Sequence, residues 1–497
     1  MVATMSSSHT SSTPTALPVP AAAAPVASDL GWTRALRDLP REHGFEPLRV
    51  EGTLPAGLSG TLYRNGPSLF SSFGDRYGHW FDGDGALSAV RFGGGRAEGA
   101  VRLVQTEGLV AERAAGKRLL GNYGTAAPGM KRFLPSPGKF KNAANTSVMV
   151  WNQRLYALWE GGLPTELSTT DLTTVGEQDL GVIAQSFSAH PHAVPSRRAL
   201  YNFGVRYGRQ TVVDIYELTE GAGASARKLA EIPLARPTMI HDFIVTERHI
   251  VFFVPPVDVR PVRMLLGMAS LGDAGWRPEL GTDVVVVPID EPSRWTRFTI
   301  DAFYQWHFVN AYERGHQIVV DVCRYPDFDS NRWLGDLALG KVGDVAGGEL
   351  WRVVLDPAAK KATSEPFFAE TCEFPRVAPS VEATRHGVAW VAAVTSGTPA
   401  ARTRFQRLPD AIVRVDVETG AARRWCSGGG LVSEPVFVPR PGGTAEDDGW
   451  LVALVYEPAA DASNITVLDA RDPSSGVIAK AWFDHLVPPT FHGTFAG

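Results

Sequence analysis

Trp306-His307-Phe308-Val309-Asn310-Ala311-Tyr312-Glu313 is followed by a turn at Arg314-Gly315 and by the run Gln317-Ile318-Val319-Val320-Asp321-Val322. Two short apolar runs joined by a glycine-containing turn read as an antiparallel strand pair. One histidine sits in the first run. A lone histidine in an apolar setting is most often a hydrogen-bonded core residue, so His307 by itself carries little. The same local pattern recurs along the chain, and that recurrence decides the fold.

Working outward, the same kind of strand appears at Arg154-Leu155-Tyr156-Ala157-Leu158-Trp159, Ala199-Leu200-Tyr201-Asn202-Phe203 and His249-Ile250-Val251-Phe252-Phe253-Val254. Two more are Gly387-Val388-Ala389-Trp390-Val391-Ala392 and Trp450-Leu451-Val452-Ala453-Leu454-Val455-Tyr456. Each follows a turn and, before that, another short apolar segment. The turns fall near 153, 197, 247, 315, 386 and 449, at intervals of about 44, 50, 68, 71 and 63 residues. Loose self-similarity with long insertions is what radial repetition of β-meanders tolerates, so the pattern predicts an all-β propeller. A sandwich or an irregular barrel is the competing all-β reading. Long 3.6-residue periodicities are scarce, while 50 Gly and 36 Pro are scattered throughout.

Composition narrows the function. Hydrophobic content of 44%, charge of 20% and a net charge of −5 are those of a soluble globular protein, and no Lys/Arg run points to nucleic acid. Cys323, Cys372 and Cys426 form neither a disulfide framework nor a CxxC site, which points to a reducing, cytoplasmic setting. Residues 1–28, rich in Ser, Thr, Ala and Pro, lack the basic start and long apolar core of a secretory signal and read as a disordered tail. The remainder, 29–497, reads as a single propeller domain. Within it, 256–282 is unlike the rest: Val262, Met264, Leu265, Leu266 and Met268 are interleaved with Arg260 and Arg263. Such a segment suits either a helix packed on the body or an insertion that dips into a membrane surface. His79-Trp80-Phe81-Asp82-Gly83-Asp84-Gly85 resembles an oxygen-rich calcium loop, but it lacks the downstream Glu of an EF-hand and reads as a structural turn.

The histidines carry the chemistry. His190, His241 and His307 each precede a meander turn by seven or eight residues. In a propeller, equivalent innermost positions converge on the axis, so the three imidazoles would meet. His492 lies five residues from the C-terminus, where a closing strand would return to the centre. His192 follows His190 by two, faces the same side of a strand, and spacing does not choose between them. Imidazoles without thiolates suit Fe, Zn, Cu or Ni. Metal-bound histidines usually donate their other N–H to an acceptor. Glu160, Glu373 and Glu434 stand at strand ends in low-charge surroundings and fit that role. His43, His249, His316, His386 and His485 sit at turn or polar positions where exposure is expected; His79 is less easily placed.

At these residues the chain resembles the carotenoid cleavage oxygenase family. The resemblance is carried by Tyr63-Arg64-Asn65-Gly66-Pro67, Trp80-Phe81-Asp82-Gly83-Asp84-Gly85, Ala189-His190-Pro191-His192, Ile240-His241-Asp242-Phe243, His307-Phe308-Val309-Asn310-Ala311-Tyr312-Glu313, Ser433-Glu434-Pro435-Val436-Phe437-Val438-Pro439, Asp447-Asp448-Gly449-Trp450 and Phe491-His492-Gly493. It implies a seven-bladed propeller under a dome of loops and short helices. It further implies Fe(II) held by His190, His241, His307 and His492, which selects His190 over His192. Glu160, Glu373 and Glu434 would then orient His241, His307 and His492, with no carboxylate on His190.

The activity implied is O₂-dependent scission of a conjugated C=C bond of a carotenoid or apocarotenoid held in an apolar tunnel. Trp306, Phe308, Tyr312 and Phe491 flank the ligands and are candidate tunnel residues. Stilbene-cleaving relatives tend to carry a lysine just before the first orienting Glu; here that residue is Trp159, which favours a polyene over a phenol. Stilbene cleavage is the alternative substrate reading, and a non-catalytic propeller binding a lipid or protein is the alternative of a different class. The segment after His190-Pro191 departs from the family's usual Asp and Thr-Gly turn, being Ala193-Val194-Pro195-Ser196-Arg197-Arg198. The family's apolar patch near the tunnel mouth coincides with 256–282, implying peripheral membrane contact; no obligate protein partner is implied.

Overall fold

The computed structural model describes residues 31–127, 140–260, 270–341, 343–395, 404–405 and 408–497. The alternating runs form seven sheets of four to six strands, arranged as a seven-bladed β-propeller. The six turns visible in the sequence each join the first and second strands of a blade. Ser147–Trp151 turns into Arg154–Leu158, for example, and Tyr304–Arg314 into Gln317–Tyr325. The second strands stand out because they are buried on both faces: His249–Val254 and Val388–Ala393 are inaccessible along nearly their whole length. A blade is covered by a neighbour on each side, so its middle strands are apolar throughout rather than alternating.

One blade left no local signature. Its innermost strand, His492–Ala496, is the last of the chain and pairs with Gly60–Leu69, so that Asn65 faces His492. No short turn can mark a pairing between chain ends. The ring is closed a second time on its rim. His43–Pro47 adds to the first blade beside Arg96–Leu103, and Arg49–Gly52 adds to the last beside Val477–Trp482. Between these two blades Leu62, Val90 and Val101 pack with Val452, Ile465 and Ala481, all buried. At ~1.5–3 kcal/mol for each large apolar side chain buried, such seams hold the blades together.

The top of the ring is covered by short pieces. They include the 3₁₀ turn Trp80–Asp82 and the helices Glu107–Ala115 and Asp329–Ala338, the only α-helices among the described residues. Glu107–Ala115 starts where the Thr106 hydroxyl accepts from the Leu109 amide and stops at left-handed Gly116. The Asp-Gly-Asp-Gly run proves to be an anchor for this cover. Asp82 accepts from the Gly124 amide at 2.8 Å and from the Thr125 hydroxyl. Asp84 and Glu112 hold the buried Lys141 ammonium at 2.7 and 2.8 Å. Gly85 is required by close approach: a Cβ there would lie 2.1 Å from the Ala144 carbonyl oxygen.

The tail 1–28 lies outside the described residues, as do Val262, Arg263, Met264, Leu265, Leu266 and Met268. The flanks of that insertion are ordered by a two-stranded pairing of Val257–Asp258 with Gly275–Trp276. Among the described residues no helix is long and apolar enough to cross a membrane.

Candidate metal centre

The chain reaches the axis four times with a histidine. His190 lies just ahead of the innermost strand His192–Val194, and His241 just ahead of Ile244–Val245. His307 is inside Tyr304–Arg314, and His492 opens the closing strand. All four thus lie at or close to the start of an innermost strand. The Nε2 atoms of His190 and His241 are 3.1 Å apart, and those of His241 and His307 are 3.3 Å apart. His190, His241 and His307 each offer a nitrogen within 4.8 Å of the others. The His492 ring completes the group, its centroid 4.8 Å from that of His190 and 4.6 Å from that of His307.

The far side of each ring explains this orientation. His241 Nδ1 is 2.5 Å from Glu160 Oε1, His307 Nδ1 is 2.5 Å from Glu373 Oε2, and His492 Nδ1 is 2.9 Å from Glu434 Oε1. Among the described residues no ion pair joins a carboxylate to His190; its backbone amide donates to the Ser188 hydroxyl instead. Glu373 is pinned further by the Tyr325 hydroxyl at 2.8 Å and the Phe374 amide at 2.6 Å. Burial alone would raise the three carboxyls. Attraction to His241 at Glu160 and to His307 at Glu373 wins and holds both below the ordinary range. At Glu434, Arg376 and His492 overcome burial and bring it down to about 2. Burial and the neighbouring imidazoles hold His190 well below its ordinary value.

These residues fit a cation. With Nδ1–H donated to a carboxylate, His241 and His307 each turn an Nε2 lone pair inward, and lone pairs 3.3 Å apart repel unless a positive charge lies between them. The buried carboxylates of Glu373 and Glu434 also call for compensating charge. An all-nitrogen donor set of this kind suits a first-row transition metal.

Two cavities border the cluster. One, of about 790 Å³, is walled by aromatic and aliphatic side chains, among them Trp80, Phe81, Trp306, Leu408, Val432 and Phe491. The other, of about 540 Å³, is polar and contains His192, Asp242, Arg376 and Glu382.

A family model described as retinal pigment epithelial membrane protein matches residues 36–497. The chain is 33% identical over 482 residues to apocarotenoid-15,15'-oxygenase of Synechocystis, covering 94% of this chain and 96% of the relative. It superposes on the crystal structure of cobalt-substituted Synechocystis ACO with a TM-score of 0.85 at 31% identity, covering 94% and 98% of the two chains. The lignostilbene-α,β-dioxygenase isozyme III of Sphingomonas paucimobilis is 28% identical over 491 residues, covering 94% and 96%. The chain belongs to this family, the carotenoid oxygenases.

Within this carotenoid oxygenase, the candidate tunnel residues go to different places. Trp306 and Phe491 line the apolar cavity. Phe308 borders the polar one and otherwise packs in the core against Phe253. Tyr312 and Trp159 line neither cavity: Tyr312 stands near His386, and the Trp159 indole lies against Gly161 and Gly162. On a strand, neighbours in sequence point to opposite faces, so flanking a ligand does not place a residue in the cavity.

Several histidines expected at the surface also differ. His386 is buried, 3.2 Å from Asp321, because the long connection 377–387 folds back over the blade. His43 and His485 pack edge to face with their side chains largely covered, whereas His316 stays exposed. His79 is buried away from the cluster: its Nδ1 accepts from the Phe81 amide and its Nε2 bonds the Asn331 carbonyl at 3.0 Å. Spacing missed Trp80, Phe81, Tyr325 and Trp333, which wall the apolar cavity. Trp80-Phe81 was in view as part of a motif. Nothing local to Tyr325 or Trp333 announces a wall, since both reach the cavity only through blade packing.

Proposed function

We propose that the protein is a non-haem iron(II) dioxygenase that cleaves a conjugated C=C bond of a carotenoid or apocarotenoid, giving two carbonyl products that carry both atoms of O₂. The observation that carries the reading is the meeting of a four-histidine cluster, three of its rings backed by carboxylates, with a large apolar cavity. His190, His241, His307 and His492 would hold the iron, which supplies the binding and activation of dioxygen. Glu160, Glu373 and Glu434 fix the imidazole tautomers and set ring direction. Trp306, Phe491 and Phe81 exclude water and lay a flat polyene beside the cluster. Among the described residues that line the apolar cavity the one carboxylate is Glu373, already engaged with His307, which fits a cleavage that needs no protein proton donor.

Stilbene cleavage is the second reading, supported by the lignostilbene-cleaving relative. The strongly apolar cavity and the apocarotenoid-cleaving relative favour the polyene. Iron-loaded protein incubated with a panel of apocarotenals and a hydroxylated stilbene, followed by mass analysis of the aldehydes, tests the proposal. Aldehydes from the apocarotenals are expected; aldehydes from the stilbene alone would replace the reading. Peripheral membrane contact through 256–282 is part of the proposal, since the substrate is stored in lipid. Co-flotation with neutral liposomes, lost on shortening that segment, is the expected result.

A further inference from the structure

Trp80 is buried, at 5% exposure, yet its indole Nε1–H has no hydrogen-bond partner among the described residues. A buried tryptophan usually finds one, because an N–H taken out of water and left unpaired is costly. The ring stands in the wall of the apolar cavity, against Phe491 with centroids 5.2 Å apart. Other donors in that wall are engaged. Trp306 gives its Nε1–H to the Ser330 hydroxyl oxygen at 2.9 Å, the Tyr325 hydroxyl donates to Glu373 at 2.8 Å, and the Thr146 hydroxyl donates to Asn145 at 3.1 Å.

The backbone that carries this indole is firmly held. Trp80 opens the 3₁₀ turn Trp80–Asp82, capped by the His79 ring, which accepts from the Phe81 amide at 3.1 Å. The Asn145 amide donates to the Phe81 and Gly83 carbonyls at 2.8 and 2.6 Å, and the Asn122 amide donates to the Asp82 carbonyl at 2.9 Å. The Asp82 carboxylate in turn holds Gly124 and Thr125. Two distant segments thus fix the turn, and the helix Asp329–Ala338 closes the wall through Ser330, Trp333 and Leu334. A fixed N–H donor in an apolar enclosure is suited to recognising one oxygen atom on a hydrophobic ligand.

We propose that Trp80 is a specificity-determining residue: its indole N–H binds the aldehyde or hydroxyl oxygen at the end of an apocarotenoid, so that the protein selects oxygen-bearing polyenes over hydrocarbon carotenes. This inference rests on the polyene reading of the site. A hydrocarbon of the same length fills the cavity but leaves the N–H unpaired, whereas a terminal oxygen pairs it. Water is a poor substitute, since a buried water needs two to four polar partners and the donors of Trp306, Tyr325 and Thr146 already have theirs.

Three probes separate the oxygen from the chain: a conjugated apocarotenal, the corresponding alcohol, and the hydrocarbon in which a methyl group replaces the aldehyde. Binding to iron-loaded protein without oxygen, so that nothing turns over, is read as quenching of tryptophan fluorescence. The wild type should bind the aldehyde and the alcohol about ten-fold more tightly than the hydrocarbon, the size expected of one buried hydrogen bond. Trp80→Phe keeps an aromatic ring and removes the N–H, and should bring the three affinities together. Equal binding of the three probes by the wild type would overturn the donor role. So would a Trp80→Phe protein that weakens all three alike and keeps the preference for oxygen, the pattern of a merely structural residue. Trp80→Leu, which also lacks a donor, replaces Trp80→Phe if that variant does not fold. A wild type that binds none of the three probes would overturn the polyene reading and this inference together.

Discussion

Glu373 shows how much one side chain carries. Its carboxylate takes His307 Nδ1–H, the Tyr325 hydroxyl and the Phe374 amide, so one group sets an imidazole and a cavity wall at once. Glu373→Gln keeps the shape but removes the charge, and iron affinity should fall about 10–100-fold, measured by metal titration. His307→Ala removes a nitrogen donor outright. It should abolish iron loading while circular dichroism still reports the native β-sheet content, because the strand around it is held by its neighbours. Full activity in iron-free His307→Ala protein would contradict the metal centre. A second residue pair sets an acid response. Burial lowers His79 from 6.5 to about 4, so its neutral form is required and stability is lost as pH falls from 6.5 towards 4. Burial pushes its neighbour Asp82 from 3.8 up to about 6, and that group adds stability as pH falls from 6 towards 3.8. The two contributions, each on the order of 3 kcal/mol, oppose one another. Asp82→Asn should therefore lose stability more steeply than the wild type between pH 6.5 and 4, read as denaturation midpoint against pH. Equal slopes would show that the pair is not coupled to folding in this way.

At the level of elements, the strand pairs joined by short turns were legible and the strand from the far end of the chain was not. Gln317–Tyr325 is rich in β-branched residues, buried on both faces and bounded by Gly315, so composition and punctuation agree. His492–Ala496 is short, with a glycine and a threonine in it, and becomes a strand only because Gly60–Leu69 presents an unpaired edge. The cover over the ring follows the same logic. Asp82, Asp84 and Gly85 read locally as a tight turn, yet their use is to grip Gly124, Lys141 and Ala144 from a distant segment. Gly85→Ala should destabilise by about 1–3 kcal/mol, since the added carbon meets backbone rather than a movable side chain. Chemical denaturation measures it; a wild-type midpoint would mean that the Ala143–Asn145 segment shifts freely.

For the whole molecule, metal and fold are linked because the four histidines come from four different blades. An ion bound to all four bridges the closing strand to three other blades, and it stabilises the folded state in proportion to its affinity. Iron(II) should raise the melting temperature of the wild type and leave that of His307→Ala unchanged, by calorimetry under anaerobic conditions. An equal rise in both proteins would place the bound metal elsewhere. By itself the sequence determined the all-β class, the repeated meander, the candidate ligands and the residues that back them. Those properties are local: alternation, turn chemistry and a histidine seven or eight residues ahead of three of the turns survive without a partner, while the choice of His190 over His192 came from the family motif. The tertiary structure alone decided which aromatics face the cavity, why Tyr312 and Trp159 do not, and that His386 is buried. It alone set a polar cavity beside the histidines. Those properties belong to the spaces between blades, and a space is defined by several distant segments packed together rather than by any one of them.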